Sequence, residues 1–234
     1  MKNMLSIVLA ATLATGFTGL VSADDKTPSK PAGVQNDAPV KGAKGSRRAP
    51  RAEKGEQAAG GTQAKVGEAA PNFTLKTTDG KEWSLSDAKG KVVVLEWVNP
   101  ECPVCVRVMK DGTVANTIKG CKAQFDDVVY VAVNSSASRP SSLKATGDYL
   151  KTNKVEIPAV LDEDGKVGRM YGARTTPHCY VIDANGVLVY QGAIDDAQEG
   201  DGKVNHVVNA VTALKKGEKV SPSSTRPYGC GVKY

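Results

Sequence analysis

The chain has 234 residues, five cysteines, two histidines and a formal net charge of +6 from 31 Lys/Arg against 25 Asp/Glu. Lys2 carries one unit of that charge, and residues 24–65 hold nine Lys/Arg against five Asp/Glu, so the stretch from Val66 onward is nearly balanced. The basicity belongs to the N-terminal signal and the segment after it and says little about the folded part, so no nucleic-acid partner is expected.

Met1 to Ala23 reads as a secretory signal. Lys2 is the positive start, Met4 to Leu20 the apolar core, and Val21-Ser22-Ala23 a small-residue cleavage site before Asp24. The core is interrupted by Thr12, Thr15, Gly16 and Thr18 and is short for crossing a bilayer. The expectation is an exported protein, periplasmic or extracellular, with no stable membrane insertion after cleavage. Disulfides persist in such a compartment. Residues 24–65 contain no aromatic residue and no Ile, Leu or Met, but four prolines and six glycines. Such a segment buries too little apolar surface to offset its ordering entropy and is expected to be a disordered linker. One folded domain is expected over residues 66–220, followed by a tail, 221–234.

Within that domain, Phe73 to Thr77 and Glu82 to Leu85 alternate around the Asp79-Gly80 turn, predicting a β-hairpin. Lys91 to Val98 is an almost continuous apolar run, as in a central strand covered on both faces. A helix is expected from Pro103 toward Ala123, with Gly112 and Gly120 as candidate interruptions. Val128 to Val133 predicts a second buried strand, Pro140 to Thr152 a helix, and Val155 to Leu161 a strand. Asp162-Glu163-Asp164-Gly165 reads as a turn, because the spaced ligands and closing Glu of a calcium loop are missing. His178 to Ile182 and Val187 to Tyr190 form a second hairpin around Asp183-Ala184-Asn185-Gly186. Val204 to Lys216 is an amphipathic helix. This order makes an α/β domain with a central mixed sheet flanked by helices and an N-terminal β-hairpin extension.

The chemistry lies in Cys102-Pro103-Val104-Cys105, which follows the Lys91 to Val98 strand and opens a helix. Two thiols at this spacing can close into a small disulfide, and a helix N-terminus favours the thiolate of the first. Glu101 beside Cys102 is expected to raise that thiol's pKa, partly opposing the helix. The pair could instead be half of a zinc site, or a copper site completed by His178. Five cysteines leave three beyond the pair. Cys121 and Cys179 read as buried small apolar residues. Cys230, in a glycine-flanked polar tail, is either a mobile resolving thiol or half of a structural bridge, with Cys121 as a partner.

The element order with Cys102-Pro103-Val104-Cys105 and Thr175-Thr176-Pro177 resembles the thioredoxin fold. Ala69 to Leu75, Asp79-Gly80-Lys81, Ser84-Leu85 and Lys91 to Leu95 resemble the opening of its redoxin branch, the alkyl hydroperoxide reductase/thiol-specific antioxidant family. The likeness continues through Ala132 to Ser136, Asp164 to Gly172, Gly192 to Asp196 and Arg226 to Tyr234. It implies that Pro177 is cis beside the cysteine pair, the cis form being cheap only before proline. It also implies that Thr176 offers backbone groups to a bound substrate. Glu96 stands where thioredoxins bury a proton-relaying carboxylate; otherwise it is a strand-edge residue facing solvent. The resemblance implies a thiol–disulfide oxidoreductase with Cys102 as nucleophile and Cys105 as resolving thiol and a protein disulfide as substrate; no cofactor is expected, and with only two histidines in the chain no metal. The upstream thiol reductant is left open. The alternatives are a thiol peroxidase, in which Cys102 attacks a peroxide and Cys105 or Cys230 resolves, and a copper chaperone. Peroxiredoxins carry Pro-x-x-x-Thr/Ser-x-x-Cys, whereas Leu95 and Asn99 occupy those two positions here, and Glu101 replaces the Trp that thioredoxins place before the first cysteine.

Overall fold

The computed structural model describes residues 63–198, 200 and 202–234. The signal segment and nearly all of the linker lie outside them. Ala64, at the linker's end, is buried and donates its N–H to the Met170 carbonyl at 2.9 Å, so ordered packing begins slightly before Val66.

Three segments build one edge of the sheet: Thr74–Thr77 (β1), Glu82–Ser84 (β2) and Ala159–Leu161 (β5). Its centre and other edge are Val93–Trp97 (β3), Val129–Asn134 (β4), His178–Ile182 (β7) and Leu188–Gly192 (β8). The strand order is β2-β1-β5-β4-β3-β7-β8. β3, β4 and β5 run parallel to their neighbours among themselves, and the hairpins at both edges are antiparallel, giving the expected mixed sheet. Two two-residue strands, Thr175–Thr176 (β6) and Cys230–Gly231 (β9), pair separately.

The pleat of β3 divides the core. Val92, Val94 and Val98 face a cluster that includes Val108, Cys121, Val207 and Val211, whereas Val93, Leu95 and Trp97 face one built on Phe73, Val167, Tyr171 and Tyr180. The first face is covered by Pro103–Lys110 (α1), Thr113–Lys122 (α2), Pro140–Thr152 (α3) and, beyond the short helix Lys166–Tyr171 (α4), His206–Lys216 (α5). Glu96 falls within this apolar row.

Three local differences from the sequence reading have clear causes. The helix after Pro103 breaks at Gly112, whose φ of 85° is left-handed; Asp111 Oδ1 then accepts from the N–H and hydroxyl of Thr113 to start α2. Gly120 does not break α2; a Cβ there would come within 2.8 Å of Val208 on α5, so this glycine permits close helix packing. Strand pairing in β5 begins only at Ala159, after Pro158, which has no N–H to donate. The turn expected from the sequence ends at Gly165, and no element is expected over the residues of α4. That helix is started by the buried Asp162 carboxylate, which accepts from Val167 and Gly168 N–H at 3.2 and 2.8 Å.

Candidate active site

Cys102 is the N-cap of α1 and Pro103 its first residue. Proline suits that position because its missing N–H would lack a helical partner anyway. One turn into the helix, Cys105 is buried against the sheet. The Cys102 thiol is pulled down to about 4, chiefly by a hydrogen bond from the Cys105 thiol, with burial opposing and the Cys230 thiol adding to the effect. Burial first, and then the neighbouring Cys102, pushes Cys105 far above the usual thiol range. The two sulfurs therefore divide into a ready thiolate and a held thiol.

Glu101 does not hold Cys102 up as expected: its carboxylate is exposed and accepts from the Ser141 hydroxyl at 2.6 Å, and the acidity of Cys102 is set chiefly by the neighbouring Cys105 thiol.

Glu96 does not face solvent. It is 1% exposed, and in register with Cys179 and Ala132 in the middle of the sheet. Burial raises its pKa to about 7, while a hydrogen bond from the Tyr130 hydroxyl at 2.7 Å pulls the other way. The Glu96 charge is one of the influences that raise Cys105, which places carboxyl and thiol in one electrostatic neighbourhood. The sequence does not single out two residues here. Tyr130 is on β4, two residues from the partner of Glu96 and so on the same face; Tyr149 on α3 donates to the Cys105 carbonyl at 2.8 Å. Period-two alternation could have put Tyr130 on this face once the register was known. Nothing local marks Tyr149.

The Thr176–Pro177 bond is cis. Thr176 is buried, and its carbonyl accepts from the Cys102 thiol at 3.1 Å. β6 pairs with β9 in antiparallel register, Thr176 opposite Cys230, so the C-terminal segment is anchored where the sequence offered no strand pattern. All five cysteines are free thiols. The suggested bridge between Cys230 and Cys121 is not made: Cys121 lies in the core on α2, whereas Cys230 is paired with Thr176, whose carbonyl meets the Cys102 thiol. Cys179 is likewise a core residue.

His178 does not complete a metal site with the pair. Its Nδ1 is engaged by the Tyr180 hydroxyl at 3.1 Å and the Arg174 N–H at 3.4 Å, and burial depresses its pKa to about 3. Among the described residues, no three His, Cys, Asp or Glu side chains are placed to hold a metal ion. Nor does any described helix have the length and apolarity to cross a membrane.

The chain is 34% identical over 123 residues to the thiol-disulfide oxidoreductase ResA of Bacillus subtilis, covering 53% of this chain and 64% of that one. It thus spans just under two thirds of that relative's length. It is 33% identical over 130 residues to the chloroplastic peroxiredoxin Q of Populus jackii, covering 52% and 57% respectively. A hypothetical protein, SMc02350, from Sinorhizobium meliloti has the same thioredoxin-like fold with a TM-score of 0.63 at 25% identity, covering 74% of this chain and 97% of its own. The Redoxin family model matches residues 65–211, from the end of the linker through the cysteine pair and the cis-proline loop into α5, and the chain belongs to the redoxin family.

Proposed function

We propose that this chain is an exported thiol–disulfide oxidoreductase. The observation that carries the reading is the divided acidity of Cys102 and Cys105 at the start of α1, set beside a buried carboxyl with a pKa of about 7. The Cys102 thiolate attacks one sulfur of a protein disulfide, and the other sulfur leaves as a thiolate. Cys105 passes its proton to Glu96 and attacks Cys102 Sγ. The second substrate sulfur leaves, and Cys102 and Cys105 end joined by a disulfide. The substrate gains two electrons and the pair loses two. Glu96 suits the transfer because its pKa near neutrality lets it both take and return a proton. Thr176 and Pro177 border the attacking sulfur, where they would align a substrate backbone. Export rests on the Met1 to Ala23 pattern.

The likeness to peroxiredoxin Q favours a second reading, a thiol peroxidase using Cys102. Against it, Asn99 takes the place of a hydroxyl residue, and its side-chain carbonyl is already engaged by the Glu101 N–H and the Ser142 hydroxyl. One experiment separates the two. The reduced protein is mixed with oxidised glutathione or hydrogen peroxide, and thiol loss is followed in the parent and in Cys102→Ser. Fast reaction with the disulfide and slow reaction with peroxide, both abolished in Cys102→Ser, is the expected result. Peroxide consumption much faster than disulfide exchange would replace the first reading with the second.

A further inference from the structure

We propose that Cys230 is a third redox cysteine, held by the C-terminal segment in the place of a peptide substrate so that it forms a disulfide with Cys102. This deepens the disulfide-exchange reading and rests on Cys102 being its nucleophile.

The placement is built from both sides. Thr176 joins the two cysteines, its carbonyl accepting from the Cys102 thiol at 3.1 Å and its hydroxyl donating to the Cys230 carbonyl at 3.4 Å. The Cys230 thiol also helps lower the pKa of Cys102, as a thiol donor facing that sulfur does. Before Cys230, the buried Tyr228 donates its hydroxyl to Asp195, and Arg107 of α1 lies 5.9 Å from the centre of its ring. Gly229 has a φ of 126°, and a Cβ there would lie 2.1 Å from the Thr176 carbonyl oxygen, so only glycine lets the chain come this close to the cis-proline loop. After Cys230, Val232 donates its N–H to the Arg174 carbonyl at 3.1 Å, and Ser138 donates twice to the Lys233 carbonyl at 3.0 Å. Tyr234 donates its hydroxyl to the Ala173 carbonyl at 2.6 Å, with Arg169 over its ring. A tail without a task at this site would not require these contacts on both flanks of one cysteine.

The strap also covers the nucleophile: Cys102 is 1% exposed, while Cys230 is partly exposed. A substrate disulfide reaches Cys102 when β9 lifts from β6, and β9 then competes with the substrate backbone for the same edge. On its return, Cys230 gives its proton to solvent and attacks Cys102 Sγ in the mixed disulfide. The Cys102–Cys230 bond forms as the substrate sulfur leaves as a thiolate. Cys105, deprotonated by Glu96, then attacks Cys102 Sγ and forms the Cys102–Cys105 disulfide. Cys230 leaves as a thiolate and takes back a proton. Cys230 attacks first because its proton can reach solvent directly, whereas Cys105 is sealed in the core.

The test uses the full chain with Cys105→Ser, fully reduced, exposed to oxidised glutathione, quenched in acid, alkylated and mapped by peptide mass. A tethered thiol acts at an effective concentration of about millimolar, so Cys102–Cys230 peptides are expected to exceed glutathionylated Cys102 by roughly ten to one. A stable glutathione adduct at Cys102 with Cys230 freely alkylated would overturn the proposal and leave the exchange reading standing. If Cys102 stays unmodified while Cys230 or another thiol is glutathionylated, both fall. Adding Gly229→Val to the same chain is expected to shift the product to the glutathione adduct. Undiminished cross-linking there would show that the strap is not what brings the two sulfurs together, and would overturn the proposal in that form.

Discussion

The Tyr130 hydroxyl donates to Glu96 Oε2 at 2.7 Å inside a sheet face that is otherwise apolar. This bond favours the carboxylate, burial favours the neutral acid, and burial wins, so the carboxyl titrates at about 7. If Glu96 takes the proton of Cys105, resolution of a mixed disulfide must speed up as pH rises through about 7. Tyr130→Phe removes the bond that favours the charge and moves that inflection upward. Glu96→Gln erases it and slows resolution by roughly a hundred-fold. Single-turnover release of thiol from a preformed mixed disulfide in a Cys230→Ala chain, where Cys105 alone resolves, reads all three. An unchanged inflection in Glu96→Gln would assign the titration to another group.

The same burial carries a stability cost whose sign is fixed. The folded-state pKa of Glu96, about 7, lies above the ordinary 4.5, so the folded protein keeps a proton that the unfolded chain has released. The favourable contribution is complete below about 4.5 and is lost as pH rises through about 7. The shift corresponds to about 3 kcal/mol lost above neutrality. Glu96→Gln has no such term. Its stability advantage over the parent should therefore grow from about pH 5 to about pH 8 in chemical denaturation. Parallel pH curves would contradict the burial argument.

Legibility in the sequence follows the range of the interaction. Helix α3 occupies the predicted Pro140–Thr152, and β3 lies within the predicted apolar run, because a proline at a helix start and a two-faced core strand are local signals. Gly112 and Gly120 look alike in sequence, yet one bends the chain and the other admits Val208; only the packing of α5 distinguishes them. The cysteine pair and Glu96 could be found from spacing and family pattern. Tyr149 and the seat of Cys230 could not. A two-residue strand has no period, and its partner lies more than fifty residues away.

Cys102 owes its low pKa first to the Cys105 thiol and only after that to Cys230. Thiolate ultraviolet absorbance of the reduced protein should therefore persist on acidification until about 4 and vanish in Cys102→Ser. Cys105→Ala should raise the midpoint more than Cys230→Ala does, since it removes the larger contribution. An equal or reversed order would mean that the strap, not α1, sets the acidity of Cys102.

Gly120 and Val208 give a packing test remote from the chemistry. A Cβ at Gly120 would lie 2.8 and 3.1 Å from the two methyl carbons of Val208. Val208 is on a helix, where a β-branched side chain has essentially one rotamer and cannot turn aside. Gly120→Ala gains up to about 1 kcal/mol in helix propensity but meets an overpacking cost of about 1–3 kcal/mol. The cost prevails, so the variant should lower the urea midpoint. In a Val208→Ala chain the obstruction is gone, and the same substitution should stabilise. The sign reversal is the diagnostic result, because propensity acts equally in both backgrounds and only contact between α2 and α5 can change it. Stabilisation in both would mean that the helices separate at little cost.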